Sequence, residues 1–330
     1  MSAPSPARRA ILRKAGGAGF VLLAPGLHAQ PAPDAAAARL PDRRAGVLLA
    51  GCQQGDSLWI GDHRGQLYRS RDGGAHWRRS AETGAGGITA IVMAGRRGLA
   101  VGHRGTVLAS ADGGDSWQAR HIATPESLSL LDALVLPQNR LLAVGAFGAC
   151  WASDDGGAHW AALKAVEDDR HLNACAATPA AIVVVGERGL VLRSADGGRS
   201  WAETGGAASA SLFAVVATGD REFVAAGLGG TLLHSADAGQ HWQLLAAQAP
   251  AAWYGATLVG QGAGRRVLLA GNGGAVASLG PDAAAGWRLQ HQARVGPGAW
   301  RTVLSGGASR SLLAVGETGI QPLPRGPWLA

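Results

Sequence analysis

One phrase, Ser-x-Asp-x-Gly-x-x-Trp, restricts the fold of this chain more than any other feature. It occurs at Ser70–Trp77, Ser110–Trp117, Ser153–Trp160, Ser194–Trp201 and Ser235–Trp242, and a decayed copy runs from Pro281 to Trp287. Repetition of this kind means one supersecondary unit used many times, each burying its apolar face against the next. The phrase reads as a hairpin turn. Its aspartate can accept from the backbone N–H groups that follow it, and its glycines take positive φ without strain. The tryptophan then opens the next strand, with its ring expected between neighbouring units.

A second element precedes each phrase, an apolar run ending in Gly-x-x-Gly. Its copies start at Gly102, Gly145, Gly186, Gly227, Gly271 and Gly316, and a first copy, Gly61 to Gly65, carries one extra residue. That makes seven units, with leading glycines 41 to 45 residues apart. The period suits four short strands, and runs such as Val107–Ser110 and Val191–Ser194 are short, β-branched and bounded by turn residues. The expected fold is all-β, a seven-bladed β-propeller of four-stranded antiparallel blades, with the aspartate turn between strands C and D. In the second unit the strands are drafted as Ile88 to Ala94, Leu99 to Gly102, Thr106 to Ser110 and Ser116 to Arg120. The repeats run without a break from residue 45 to 330, which makes one ring a better reading than two domains.

These residues resemble a known family. The Ser-x-Asp-x-Gly-x-x-Trp phrase is similar to the Asp-box, or BNR repeat. Its pairing with Gly-x-x-Gly at this period resembles the photosystem II stability and assembly factor family, over about Ala45 to Ala330. The resemblance implies a seven-bladed propeller with no enzymatic activity, in a bacterial relative outside photosynthesis. It also implies a membrane complex as partner, photosystem-like or associated with an export transporter. For the fold the motifs are specific. For function they are not, since Asp-boxes also occur in sialidases and other propellers.

Residues 1–29 read as an export signal. A basic start (Arg8, Arg9, Arg13, Lys14) is followed by a modest apolar centre, then small residues before a cut after Ala29. Arg8-Arg9 resembles a twin-arginine signal, and Sec export stays open; a disordered basic tail is the bland alternative. Export places the protein in the periplasm as a soluble monomer. Residues 30–44 read as a linker or a ring-closing strand. The seventh unit looks truncated after Pro324, and its outer strand is expected from Arg325 to Ala330 or from near Leu40. Leu49–Cys52 matches a lipoprotein cleavage pattern, but it aligns with the inner strand of the first unit, and the strand reading is preferred. Cys52, Cys150 and Cys175 match no zinc spacing. Buried free thiols are expected, with a Cys150–Cys175 bridge as the alternative.

Charge narrows the partners. The chain has 30 Lys+Arg against 23 Asp+Glu, and removing the four basic residues of the signal leaves 26 against 23. An excess of three argues against nucleic acid, which calls for a concentrated basic stripe. Motifs for serine hydrolysis, zinc peptidases and phosphate loops are missing, and no cofactor or metal is expected. A sialidase needs a tyrosine nucleophile and an arginine cluster. The two tyrosines are Tyr68, expected on strand C away from the centre, and Tyr254. His76, His159 and His241 share one turn position a blade apart and read as exposed turn residues rather than metal ligands.

Strand alternation decides which residues share a face. The B-to-C turns and D-to-A connections emerge on one side of the ring, and the aspartate turns on the other. On the first side the third residue of Gly-x-x-Gly is Arg64, Arg104 or Arg188 in three units. In the others it is Phe147, Gly229, Gly273 or Thr318. Inner strands begin on that side with Ile88, Leu130, Leu172, Phe213, Tyr254 and Arg301 in roughly corresponding places, and Trp253 and Trp300 stand beside the last two. Arginine with aromatics is the composition of a protein-binding surface. The expected partner-binding set is therefore Arg64, Arg104, Arg188, Phe213, Trp253, Tyr254, Trp300 and Arg301, where the family resemblance also implies an arginine-rich docking face. The bland reading pairs these arginines with Glu187, Asp62 or local carbonyls. A carbohydrate-active propeller is the alternative function; it predicts acidic residues converging at the centre of the same face, with Glu187 and Glu317 as candidates.

Overall fold

The computed structural model describes residues 46–84, 86–122, 128–245, 251–306, 311–324 and 328. The expected export signal and the 30–44 segment lie outside the described residues. Seven antiparallel sheets follow one another along the chain. Six have four strands in the order A-B-C-D, and the last has three among the described residues. Blade 2 shows the pattern: Ile88–Ala94, Arg97–Gly102, Val107–Ser110 and Gln118–Ala119. Strand B of each blade is buried beyond its first residue, and Leu141–Gly145 and Ile182–Gly186 are buried throughout, because both faces meet neighbouring blades. Among the described residues no helix is long and apolar enough to cross a membrane.

Five copies of the aspartate turn share one hydrogen-bond pattern. In blade 1 the Ser70 hydroxyl donates to Asp72 at 2.8 Å and accepts from the Gly74 N–H at 2.8 Å. Asp72 accepts from the His76 N–H at 2.9 Å, and its second oxygen meets His76 Nδ1 at 2.6 Å. His159 and His241 do the same for Asp155 and Asp237. In blades 2 and 4 the hydroxyls of Ser116 and Ser200 take over that role. These histidines are thus exposed turn residues, each paired with its own aspartate.

The turn delivers the tryptophan. Trp77 Nε1 donates to the Gly74 carbonyl at 3.0 Å, which fixes the ring against Leu304, Leu313 and Val315 of blade 7 and Leu58 of its own blade. Trp160 between blades 2 and 3 and Trp242 between 4 and 5 make the same bond, to Gly157 and Gly239 at 3.2 Å, whereas Trp117 between blades 1 and 2 and Trp201 between 3 and 4 are held by packing, with Nε1 buried and unbonded. Burying each ring contributes about 3 kcal/mol at these joins.

Blade 6 keeps the wedge after losing the turn. Its strands C and D extend into a long hairpin, Ala275–Asp282 with Gly286–Arg294. Trp287 Nε1 donates to Glu222 of blade 5 at 3.1 Å in place of a turn carbonyl. Glu222 also meets His234 at 3.0 Å, Thr218 at 2.9 Å and Arg265 at 3.0 Å, so an interblade polar cluster replaces the local one.

The ring closes without a shared strand among the described residues. Gln53 of blade 1 accepts from the Ser305 N–H of blade 7 at 2.6 Å, and Leu48, Leu58 and Ile60 pack on Leu304 and Leu313. Near Leu40 nothing is described. From the C-terminal candidate, Trp328 is buried in the blade 6–7 core against His291. Leu48–Gln54 is strand A of blade 1, as preferred over the lipoprotein reading. All three cysteines are free thiols, which excludes the Cys150–Cys175 bridge. Burial pushes the Cys52 thiol up to about 11 and Cys150 to about 12.

The turn aspartates set an acid limit. Hydrogen bonds from His76, first its backbone N–H, hold Asp72 at about 2. In Asp112 and Asp237 partial burial acts the other way and is overcome by bonds from Ser116 and His241, leaving both at about 2. A folded pKa below the unfolded value of about 3.9 means stability present above pH 4 and lost as pH falls toward 2. Chemical unfolding followed from pH 5 to pH 2 should show that loss, and Asp112→Asn should flatten it while lowering stability at neutral pH.

Candidate functional site

All seven inner strands carry a β-bulge at their second residue. In blade 2 the register jumps from Ile88, opposite Gly102, to Ala90, opposite Val101. The same jump skips Leu49, Leu131, Asn173, Phe213, Tyr254 and Arg301. A bulge re-aims a side chain. These six residues and Thr89 of blade 2 line a central channel of about 360 Å3. Several also tie one blade to the next. Thr89 donates to the Leu130 carbonyl at 2.6 Å and Asn173 to the Leu212 carbonyl at 2.8 Å.

Three of the expected site residues meet here. Phe213 packs edge-on against Tyr254 at 5.7 Å between ring centres, and the Arg301 guanidinium lies over the Tyr254 ring at 5.2 Å. His103, at the mouth, meets Ser129 at 2.9 Å; burial and then Arg301 draw its pKa below the usual histidine value.

Two expectations are corrected. Trp253 and Trp300 are each 1% exposed, so neither offers surface to a partner in this fold. They occupy the position before the bulge, equivalent to Ile88, Leu130, Leu172 and Leu212, whose side chains turn into the interblade core. The residues equivalent to Phe213, Tyr254 and Arg301 are Thr89, Leu131 and Asn173, one position later than the sequence alignment of units placed them. The bulge adds one residue that shifts the in–out alternation, and no distinctive residue type marks where it falls.

The Gly-x-x-Gly turns form an arc on one face around the channel mouth. The leading glycine is required by contact: a Cβ on Gly145 or Gly186 would stand 2.2 Å from the carbonyl of the incoming D-to-A connection. The third position needs left-handed backbone, with φ of 60° at Arg104, 56° at Phe147 and 54° at Arg188. Blades 5 and 6 place Gly229 and Gly273 there. Arg64, in the longer first turn, is exposed on the same face. Asp62 is occupied by the backbone N–H groups of Arg64 and Gln66, and Glu187 by that of His171. Arg188 stands 3.9 Å from Asp168. The proposed carboxylate partners of the bland reading are therefore spent on the backbone.

Two residues escaped the sequence reading. Phe147 is 65% exposed and packs one edge on His171 at 5.0 Å. Its signal was present, an aromatic at a position held elsewhere by arginine or glycine. Asp132 lines the channel and accepts from the Cys175 N–H at 2.8 Å across the blade 3–4 join. Burial raises its pKa to about 6 against those hydrogen bonds. It is the one carboxylate among the described residues lining the channel, while Glu187 and Glu317 cap backbone N–H groups of neighbouring loops. Two-carboxylate glycoside chemistry finds no pair there.

Fold and turns define the class, a BNR-type seven-bladed propeller. The profile of the photosynthesis system II assembly factor YCF48 family matches residues 172–308. Those residues span blades 4 to 7, where the chain is similar to that family, and the same antiparallel unit recurs in all seven blades. Among solved structures it resembles YCF48 bound to a D1 peptide, at 21% identity over 88% of this chain and 97% of that one, with a TM-score of 0.65. YCF48 from Cyanidioschyzon merolae is 17% identical over 86% of this chain and 95% of that one, TM-score 0.63. An ancestral GH74 enzyme is 14% identical over 84% of this chain and 44% of that one, TM-score 0.64. No curated protein matches.

A left-handed backbone costs a residue with a Cβ about 1 kcal/mol relative to glycine. Phe147→Gly and Arg188→Gly should therefore each raise unfolding stability by about that amount in denaturant titrations. For Asp132 the sign is opposite to that of the turn aspartates. A folded pKa raised above the unfolded value penalises the folded state as pH rises from about 4 through about 6. The carboxyl carbon resonance of Asp132 should titrate near pH 6, and a midpoint near 4 would contradict its burial.

Proposed function

We propose that this protein is a non-catalytic, periplasmic assembly factor that holds a segment of a membrane protein complex, photosystem-like or transporter-associated, against its Gly-x-x-Gly face. The arc of Arg64, Arg104, Phe147 and Arg188 meets the partner, and Phe213, Tyr254 and Arg301 receive it at the channel mouth. One observation carries the reading. Three neighbouring turns keep Arg, Phe and Arg in a backbone conformation where the fold alone favours glycine, as blades 5 and 6 do. Strain retained at exposed side chains fits a role outside the fold. Exposed Phe147 flanked by arginines is an interface composition, aromatic and guanidinium anchors together. YCF48 bound to a D1 peptide is a precedent for peptide capture on a ring of this shape.

The test is charge reversal. Arg64→Glu, Arg104→Glu and Arg188→Glu combined should abolish co-purification of the chain with one defined membrane complex from solubilised envelopes, with the thermal midpoint little changed. Phe147→Ala should weaken the same association by roughly tenfold or more. Retention of the complex by the triple variant would refute the assignment of this face.

A further inference from the structure

A second concavity, of about 500 Å3, opens on the outer rim between blade 1 and the aspartate turn of blade 2. Arg69 enters it from strand C (Gln66–Ser70), Arg71 from the turn, and Arg78 and Arg79 from strand D (Arg78–Glu82). The carboxylates lining it are Asp72 and Asp115. Asp72 is committed to Ser70 and His76 of its own turn. Asp115 receives both Arg69 and Arg71, so two guanidiniums share one carboxylate while two more stand on the same wall. Arg79 reaches Glu82 at 3.2 Å at the margin.

The cluster is held in place before any ligand arrives. Arg69 is 15% exposed, stacked over the Trp59 ring at 4.9 Å and braced by Ser57 at 3.3 Å, and its Nε is buried without a hydrogen-bond partner. Burial and then the adjacent Arg71 cation draw its pKa below the usual arginine value. Arg71 is 67% exposed at the opening. Charges on an edge strand also discourage sheet-to-sheet pairing. Of the four only Arg78 and Arg79 lie on the edge strand; Arg69 comes from strand C and Arg71 from the turn, so edge protection does not explain their convergence.

We propose that this rim cleft is an oxyanion site that takes a phosphate group. A peptide carboxylate offers two oxygens and a single charge, whereas a phosphate offers three acceptor oxygens and nearly two charges, which matches several converging guanidinium forks. The phosphate can belong to a free anion or to the phosphomonoester headgroup of an anionic lipid such as phosphatidic acid. The cleft lies on the outer rim, away from the Gly-x-x-Gly turns, and the inference does not rest on their role.

Titration calorimetry of the full chain with inorganic pyrophosphate at low salt tests the first source. Co-sedimentation with phosphatidic acid–phosphatidylcholine vesicles, against phosphatidylcholine alone, tests the second. Binding in either arm supports the site and tells which source it uses. Arg71→Gln/Arg78→Gln should weaken that binding about tenfold or more, since charge-assisted bonds are lost. Arg78→Gln/Arg79→Gln, altered wholly on exposed strand D, should weaken it too and serves as an independent variant. Arg104→Gln/Arg188→Gln should leave it unchanged. Absence of binding in both arms, wild-type binding by both rim variants, or an equal loss in the Arg104/Arg188 variant would overturn the proposal.

Discussion

The structure depends on the join between one blade and the next. A four-stranded sheet of this size cannot bury its faces alone, and the seat of each tryptophan supplies the contact that makes neighbours adhere. That seat is made locally: serine, aspartate and glycine lock a hairpin that sets the ring's position, and in blades 1, 3 and 5 a turn carbonyl receives the indole N–H, as Gly74 does for Trp77. The order of causes is therefore from turn to ring position to blade spacing. Blade 6 supports this order by exception. With the turn lost, Glu222 reaches across from blade 5 to hold Trp287, so what is retained is the wedge, while the way of holding it has changed.

The two sides of the ring divide the labour. On the aspartate-turn side the serine and aspartate of each phrase serve the turn itself. On the other side the turns are needed only to reverse direction, and one position in each is free to vary. There the protein keeps arginine and phenylalanine at left-handed φ, giving up stability that glycine would provide. The inner strands add a second tier. Their bulges turn one residue per blade toward the axis, and in blades 5 to 7 this assembles Phe213, Tyr254 and Arg301 from positions some forty residues apart, the period of the repeat itself.

Legibility in the sequence followed the range of the interaction. The turn phrase and Gly-x-x-Gly are complete within a few residues, so blade number, strand order and the face carrying Arg64, Arg104 and Arg188 could be read directly. Errors arose where one residue's offset mattered. Trp253 and Trp300 looked like neighbours of the channel residues, yet the bulge between Trp253 and Gly255 sends the tryptophan into the core and the next residue to the axis. Asp132 was invisible for a related reason. Its environment, a channel wall with a backbone donor from Cys175, comes from another blade.

The sequence by itself determined the repeat, the turn chemistry and the alternation of faces, because each follows from bonds among residues close together in the chain. Tertiary structure decided what only ring closure brings into contact. It settled which side chains reach the axis, that the seventh blade seals to the first through Gln53 and leucine packing, and that Arg69, Arg71, Arg78 and Arg79 share a cleft with Asp115 of the next blade. Such contacts join distant positions whose proximity is fixed by the curvature of the whole ring, and no local pattern encodes that curvature.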